Sequence, residues 1–153
     1  MEENQSTPSS GSSAQAEKRQ FNSFYLGDQL FGIEITHVKE IIRNHKITKV
    51  PHAPDYIRGV INLRGTIVTV TDPRVKLKME DADFDYEKNR IIIIKTGKES
   101  EQYRGLLVDR ISDVYDTDDS QREEVPLHLS EAEKKYISEV YKLQDELLLV
   151  IRP

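Results

Sequence analysis

The sequence contains no cysteine, which removes disulfides, thiolate metal sites and thiol chemistry together. It has no apolar run of about 18 residues, the length a membrane-spanning helix needs. Residues 1–19 hold only Met1, Ala14 and Ala16 as apolar side chains, so the opening stretch lacks the apolar centre of a signal peptide. These absences set the expectation of a soluble, cytoplasmic protein with no direct membrane insertion. The motifs of common enzyme classes are missing as well. There is no phosphate-binding loop and no Gly-x-Gly-x-x-Gly fingerprint, and no Gly-x-Ser-x-Gly nucleophile elbow. The four histidines, His37, His45, His52 and His128, show no metal-ligand spacing with nearby carboxylates. Asp116, Asp118 and Asp119 lack the glycine and terminal glutamate of a calcium loop and read as a solvated turn. No nucleophile, base and oxyanion donor come together, so no enzyme activity, metal or cofactor is expected.

Charge is plentiful but segregated. The chain carries a net charge of −5, which argues against a general nucleic-acid binder. Residues 36–78 hold nine Lys/Arg against three acids, a net of +6 that leaves −11 for the rest. Two solvated faces of opposite sign explain this, and so do two docking surfaces for different proteins. A nucleic-acid-binding β-barrel would need stacking aromatics beside the basic segment. Tyr56 is the only aromatic residue there.

Residues 1–19 are rich in Ser, Gln and Glu and read as a disordered tail, because they cannot bury enough apolar area to offset ordering. The ordered part is expected over 20–153. Strand patterns follow at 21–26 and 30–35, with Gly27–Asp28 as the turn between them. Val38, Ile41 and Ile42 fall at i, i+3 and i+4, which predicts a short helix over 36–42 with Thr36 as its N-cap. Residues 46–50 read as a strand ended by Pro51 and Pro54. Further strands are expected at 58–63, 66–72, 90–95, 103–109 and 111–117. The four isoleucines at 91–94 suit a strand buried on both faces. Ile111 and Val114 are three apart, which points to a bulge or a change of face. Asp81, Asp83, Asp85 and Glu87 mark an acidic loop. Ser130 is a candidate N-cap for a helical turn or two over 129–137. Segments 140–143 and 146–151 form a final hairpin around Gln144–Asp145. The pattern is mainly β, a barrel or a sandwich, with one or two short helices.

One stretch does not fit a plain strand. In GVINLRGTIVTVTD, residues 59–72, Asn62 and Arg64 interrupt an apolar pattern and are bracketed by Gly59 and Gly65. If Ile61 and Leu63 face the core, Asn62 and Arg64 face outward or into a groove. Asn62 is a poor strand former and the glycines permit tight backbone geometry. An arginine paired with a nearby acid is one reading. A presented arginine, whose planar fork suits interface recognition, is the other.

Three blocks together carry a resemblance: FYLGDQLFGIEITHVKEII (24–42), ITKVPHAPDYIRGVINLRGTIV (47–68) with VTDPR (70–74), and GLLVDRISDV (105–114). Over nearly all of 20–151 the chain resembles the CheW-like family of chemotaxis coupling proteins. The resemblance implies two intertwined five-stranded SH3-like β-barrels without catalytic activity. It implies an adaptor or scaffold that joins the cytoplasmic helical tip of a chemoreceptor to the regulatory domain of a CheA-type histidine kinase in receptor arrays. It places receptor contacts in a groove between the barrels, at Val38 and Glu40 on a groove helix, at Gly59, Asn62, Arg64, Gly65 and Ile67, and at Ile111 and Val114 of the other barrel. It assigns no residues to the kinase. Thr69 stands where the family usually has proline, and Pro73 where it has leucine, with Asp72 and Arg74 retained. Pro73 is expected to end its strand early. A regulatory adaptor of a different kinase pathway fits the same residues.

Overall fold

The computed structural model describes residues 18–43, 45–79, 88–97, 102–126 and 129–153. The tail up to residue 17, the acidic loop at 81–87 and His128 lie outside the described residues. The described chain forms eleven strands in two sheets. One sheet runs in the order β8-β1-β2-β11-β10-β9, the other β3-β6-β7-β5-β4. The first is built from β1 (Arg19–Leu26), β2 (Gln29–Glu34), β8 (Arg110–Thr117), β9 (Arg122–Glu123), β10 (Ile137–Lys142) and β11 (Leu147–Ile151). The second uses β3 (Val38–Ile42), β4 (Ile57–Leu63), β5 (Thr66–Thr71), β6 (Arg90–Lys95) and β7 (Tyr103–Val108). The chain starts in the first sheet, builds the second and returns, so the two units are intertwined. The first sheet has six strands rather than five only because the two-residue β9 is added at its edge.

Each sheet curls into a barrel. In the first, edge strand β8 leads through a 3-10 turn (Asp119–Gln121) straight into β9 at the opposite edge. Asp118 caps that turn by accepting from the Ser120 amide. In the second, Thr48 and Val60 exchange two backbone hydrogen bonds of 2.8 Å each, joining the segment after β3 to β4.

Alternation along the strands explains why so many residues are buried. Ile91 and Ile93 fill the second barrel with Ile61, Leu63, Val68, Val70 and Leu107. Ile92 and Ile94 point the other way, into a cluster shared with Phe24, Phe31, Ile33 and Leu149 of the first sheet. The isoleucine strand is therefore buried on both faces, as its composition predicts. Leu148 and Val150 similarly enter the first barrel with Phe21, Leu30 and Tyr141, while Leu149 and Ile151 join the shared cluster.

Two expectations need correction. Residues 36–42 are not a helix, and Thr36 is not an N-cap. Ile35–His37 form a 3-10 turn and Val38–Ile42 form β3 against β6. A bulge between Val38 and Glu40 changes which face is buried, so Val38 packs on the shared cluster and Ile42 on the second barrel. That shift imitates helical spacing. Residues 46–50 are not a strand; Thr48 makes a single bridge, and Ile47 packs inward beside it. Pro73 ends β5 but also opens a helical turn, α1 (Pro73–Lys76), with Asp72 as N-cap accepting from the Arg74 amide at 3.0 Å. Other readings hold. The register of β8 against β1 shifts between Val114 and Ile111. Ser130 caps α2 (Glu131–Tyr136) in a reciprocal capping box with Glu133. β10 and β11 form the final hairpin.

Candidate partner-docking site

Arg64 does not lie within a strand. β4 ends at Leu63 and β5 starts at Thr66, so Arg64 and Gly65 are the two residues of a tight hairpin turn. Both have positive φ, +51° and +89°. This is the backbone of the primed turns that favour Asn-Gly, in which a β-carbon at the first position is strained. The Asn62 side-chain oxygen accepts from the Gly65 amide at 2.8 Å and fastens the turn. Ile61 and Leu63 are buried, so the alternation delivers Asn62 to the surface as expected.

The Arg64 side chain is 66% exposed, and its Nη2 donates to the Glu40 carboxylate on β3. β3 and β4 are opposite edges of the five-stranded sheet. The ion pair thus crosses the same seam that Thr48 and Val60 close, and it holds the guanidinium upright rather than burying it. The group is therefore both paired and exposed, so the two readings do not exclude each other. Ile67, opposite Asn62 in the hairpin, is 64% exposed. Beside the turn lies an open concavity of about 220 Å³ lined by Lys39, Leu63, Arg64, Thr66 and Tyr103. The Lys39 ammonium sits 4.9 Å from the centre of the Tyr103 ring. A second, of about 450 Å³, adjoins it past Thr66 and Tyr103 and includes Ile67 and Arg104. The ensemble is a cationic rim around exposed aliphatic and aromatic surface, suited to a polypeptide with an apolar stripe and an acidic edge.

The nine sequence-derived residues fall into four settings. Glu40, Asn62, Arg64, Gly65 and Ile67 are brought together at the hairpin tip. Val38 on β3 and Ile111 on β8 both pack against the shared cluster, one from each barrel, and so mark the seam between them. Val114 is 52% exposed further along β8. Gly59 is buried and presents nothing to a partner. Its φ is +146°, and a β-carbon there would overlap the Thr48 carbonyl oxygen. It is a glycine because the barrel closes against it.

Sequence reasoning missed a second charged cluster. Arg19 on β1 donates to Glu34 at 3.0 Å and to Glu139 at 2.5 Å, and Arg122 donates to Glu139 at 2.6 Å. The Tyr141 hydroxyl donates to Glu139 at 2.8 Å. Burial works to raise the Glu139 carboxyl, but hydrogen bonds from Arg19 and Tyr141 and the two arginine charges hold it below its ordinary value. These residues are up to 122 positions apart, and no local pattern announces them. The cluster clasps β1, β2, β9 and β10 and is structural.

Among the described residues no helix is long and apolar enough to cross a membrane. Residues 20–153 match the CheW-like domain. The chain is 31% identical over 133 residues to a chemotaxis protein CheW of Klebsiella aerogenes, covering 87% of this chain and 78% of that one. It is 33% identical over 132 residues to the CheW of Bacillus subtilis, covering 84% and 80%. Among solved structures it resembles the scaffolding protein TtCheW of Thermoanaerobacter tengcongensis, with a TM-score of 0.79, 28% identity and 90% of each chain covered. With the paired barrels and the glycine-framed arginine turn in place, this agreement over nearly the whole chain shows that the protein belongs to the CheW-like domain family.

Proposed function

We propose that the protein is a non-enzymatic chemotaxis adaptor that couples the helical tip of chemoreceptors to a CheA-type histidine kinase. It acts in the cytoplasm and reaches membrane receptor arrays through these partners. The receptor surface comprises Arg64, Glu40, Asn62, Gly65 and Ile67 at the hairpin tip, with Val38, Ile111 and Val114 along the seam. Gly59 supports that surface from beneath. The observation that carries the reading is the backbone of Arg64. An arginine occupies a left-handed turn position that asparagine or glycine would fill with less strain, and its side chain is exposed and braced by Glu40. Local strain retained at an exposed charged residue is expected where that side chain recognises a partner.

The test is co-purification with a receptor cytoplasmic fragment and, separately, with the kinase regulatory domain. Arg64→Ala is expected to weaken receptor capture while kinase capture persists. Unchanged receptor capture counts against the assignment. Kinase capture with no receptor capture by the parent protein points to an adaptor of another kinase pathway.

A further inference from the structure

The chain crosses between the barrels twice. From β2 to β3 it uses the three residues of the 3-10 turn. From β7 back to β8 it uses one residue, Asp109. The side chain of that residue touches both barrels. Its Oδ1 accepts from Arg74 Nη1 at 3.0 Å, and Arg74 belongs to α1 of the second barrel. Its Oδ2 accepts from the Gly27 amide at 2.6 Å, in the β1–β2 turn of the first. Its own amide donates to the Tyr25 carbonyl at 3.1 Å. The Arg74 side chain is only 5% exposed. Arg110, the next residue, lies over the Tyr25 ring at 3.9 Å.

The shared apolar cluster holds the barrels together, but the apolar attraction is itself non-directional. A carboxylate divided between a buried guanidinium on one side and a backbone amide on the other is directional, and charge-assisted bonds of this kind are strong. We propose that Asp109, gripped by Arg74, is a positioning residue that sets the angle between the two barrels. Two residues beyond it β8 presents Ile111, and then Val114. Resting on the receptor reading above, the same pin fixes how far these stand from Arg64 and Ile67 and so sets receptor affinity.

The absence of cysteine makes the test direct. Spin labels at Lys95→Cys and Lys142→Cys report the distance between barrels, and a Lys49→Cys/Lys95→Cys pair reports the second barrel alone. Asp109→Asn and Arg74→Met are each expected to broaden or shift the inter-barrel distribution, without further change in the double variant and with the control pair unaltered. Receptor-fragment capture should weaken about tenfold, a coupling typical of residues in one polar network. Asp109→Glu keeps the charge but lengthens the arm, so it should move the mean distance even if the other variants do not fold. An inter-barrel distribution identical to the parent's in any folded Asp109 variant overturns the proposal. Altered distances with unchanged receptor capture support the pin and overturn its link to receptor affinity, whereas no receptor capture by the parent protein overturns the receptor reading instead.

Discussion

Replacing Gly59 by alanine should open the second barrel at its seam. The new β-carbon would overlap the Thr48 carbonyl oxygen and stand 2.8 Å from both the carbonyl carbon and Ile47 Cγ2. These are backbone and inward-packed atoms, so no flexible side chain can swing aside. The φ of +146° adds strain of its own, because a residue with a β-carbon rarely adopts it. Relief requires breaking the two 2.8 Å bonds between Thr48 and Val60. Each contributes about 0.5–1.5 kcal/mol net, and retaining the strained backbone instead costs about 1–3 kcal/mol. A loss of about 3 kcal/mol follows from either route combined with partial relaxation. For a chain of this size that lowers Tm by roughly 6–12 °C. Gly65→Ala is the internal control. Its φ is +89°, but nothing lies within 4 Å of its missing β-carbon. Only backbone strain applies, about 1 kcal/mol. Thermal and urea unfolding give the two values, and amide exchange at Thr48 and Val60 locates the damage. If Gly59→Ala costs no more than Gly65→Ala, or if both amides stay protected, the seam does not work as described.

Three further outcomes are expected. Arg64→Asn fits the turn better and should stabilise the fold by about 0.5 kcal/mol, the relieved strain exceeding a lost exposed ion pair, while receptor capture falls; a loss above about 1 kcal/mol in urea unfolding contradicts this. The Glu139 carboxyl is held low in the folded state, so its contribution is present above its ordinary pKa and is lost as pH falls through the lower folded value. Glu139→Gln should therefore flatten the acid limb of a stability–pH curve below about pH 4.3, and an unchanged limb rules that out. Tyr136 packs on the shared cluster, and burial pushes its phenol up to about 12. Ionisation then favours the unfolded chain, so stability should fall between about pH 10 and 12, and Tyr136→Phe should lose that dependence. Spectrophotometric titration of the phenols gives an independent check.

What could be read from the sequence was local and periodic. The isoleucine strand, the Ser130 cap, the irregularity between Ile111 and Val114, and the final hairpin each declare themselves within ten residues. Segment 36–42 misled because the bulge at Val38 and Glu40 reproduces a helical interval. The strand bounds at 58–63 and 66–72 leave Arg64 and Gly65 between them, but Arg-Gly does not advertise a primed turn as Asn-Gly does. Asp72-Pro73 is a helix-start pair as well as a strand end, and proline alone signals only the second. The burial of Gly59 could not be seen, since Thr48 becomes its neighbour only when the barrel closes. The same limit hid the Arg19 clasp and the bridge from Asp109 to Gly27, 82 positions apart. Family resemblance located the hairpin tip without explaining it, and grouped a buried glycine with exposed residues.

The pattern of burial bears on how the two barrels share one core. β6, β7 and β11 each send alternate side chains into a barrel and into the shared cluster. Removing either barrel would expose one face of these strands, so neither barrel has a complete core alone. The close packing of these interdigitated cores transmits strain rather than absorbing it. Among the described residues, only the 3-10 turn and Asp109 carry the chain between the two sheets. A partner resting on both Arg64 and Val114 therefore works against these two crossings, and the one-residue crossing carries the directional bonds. In the proposed adaptor role, the angle held at Asp109 is the quantity on which coupling depends.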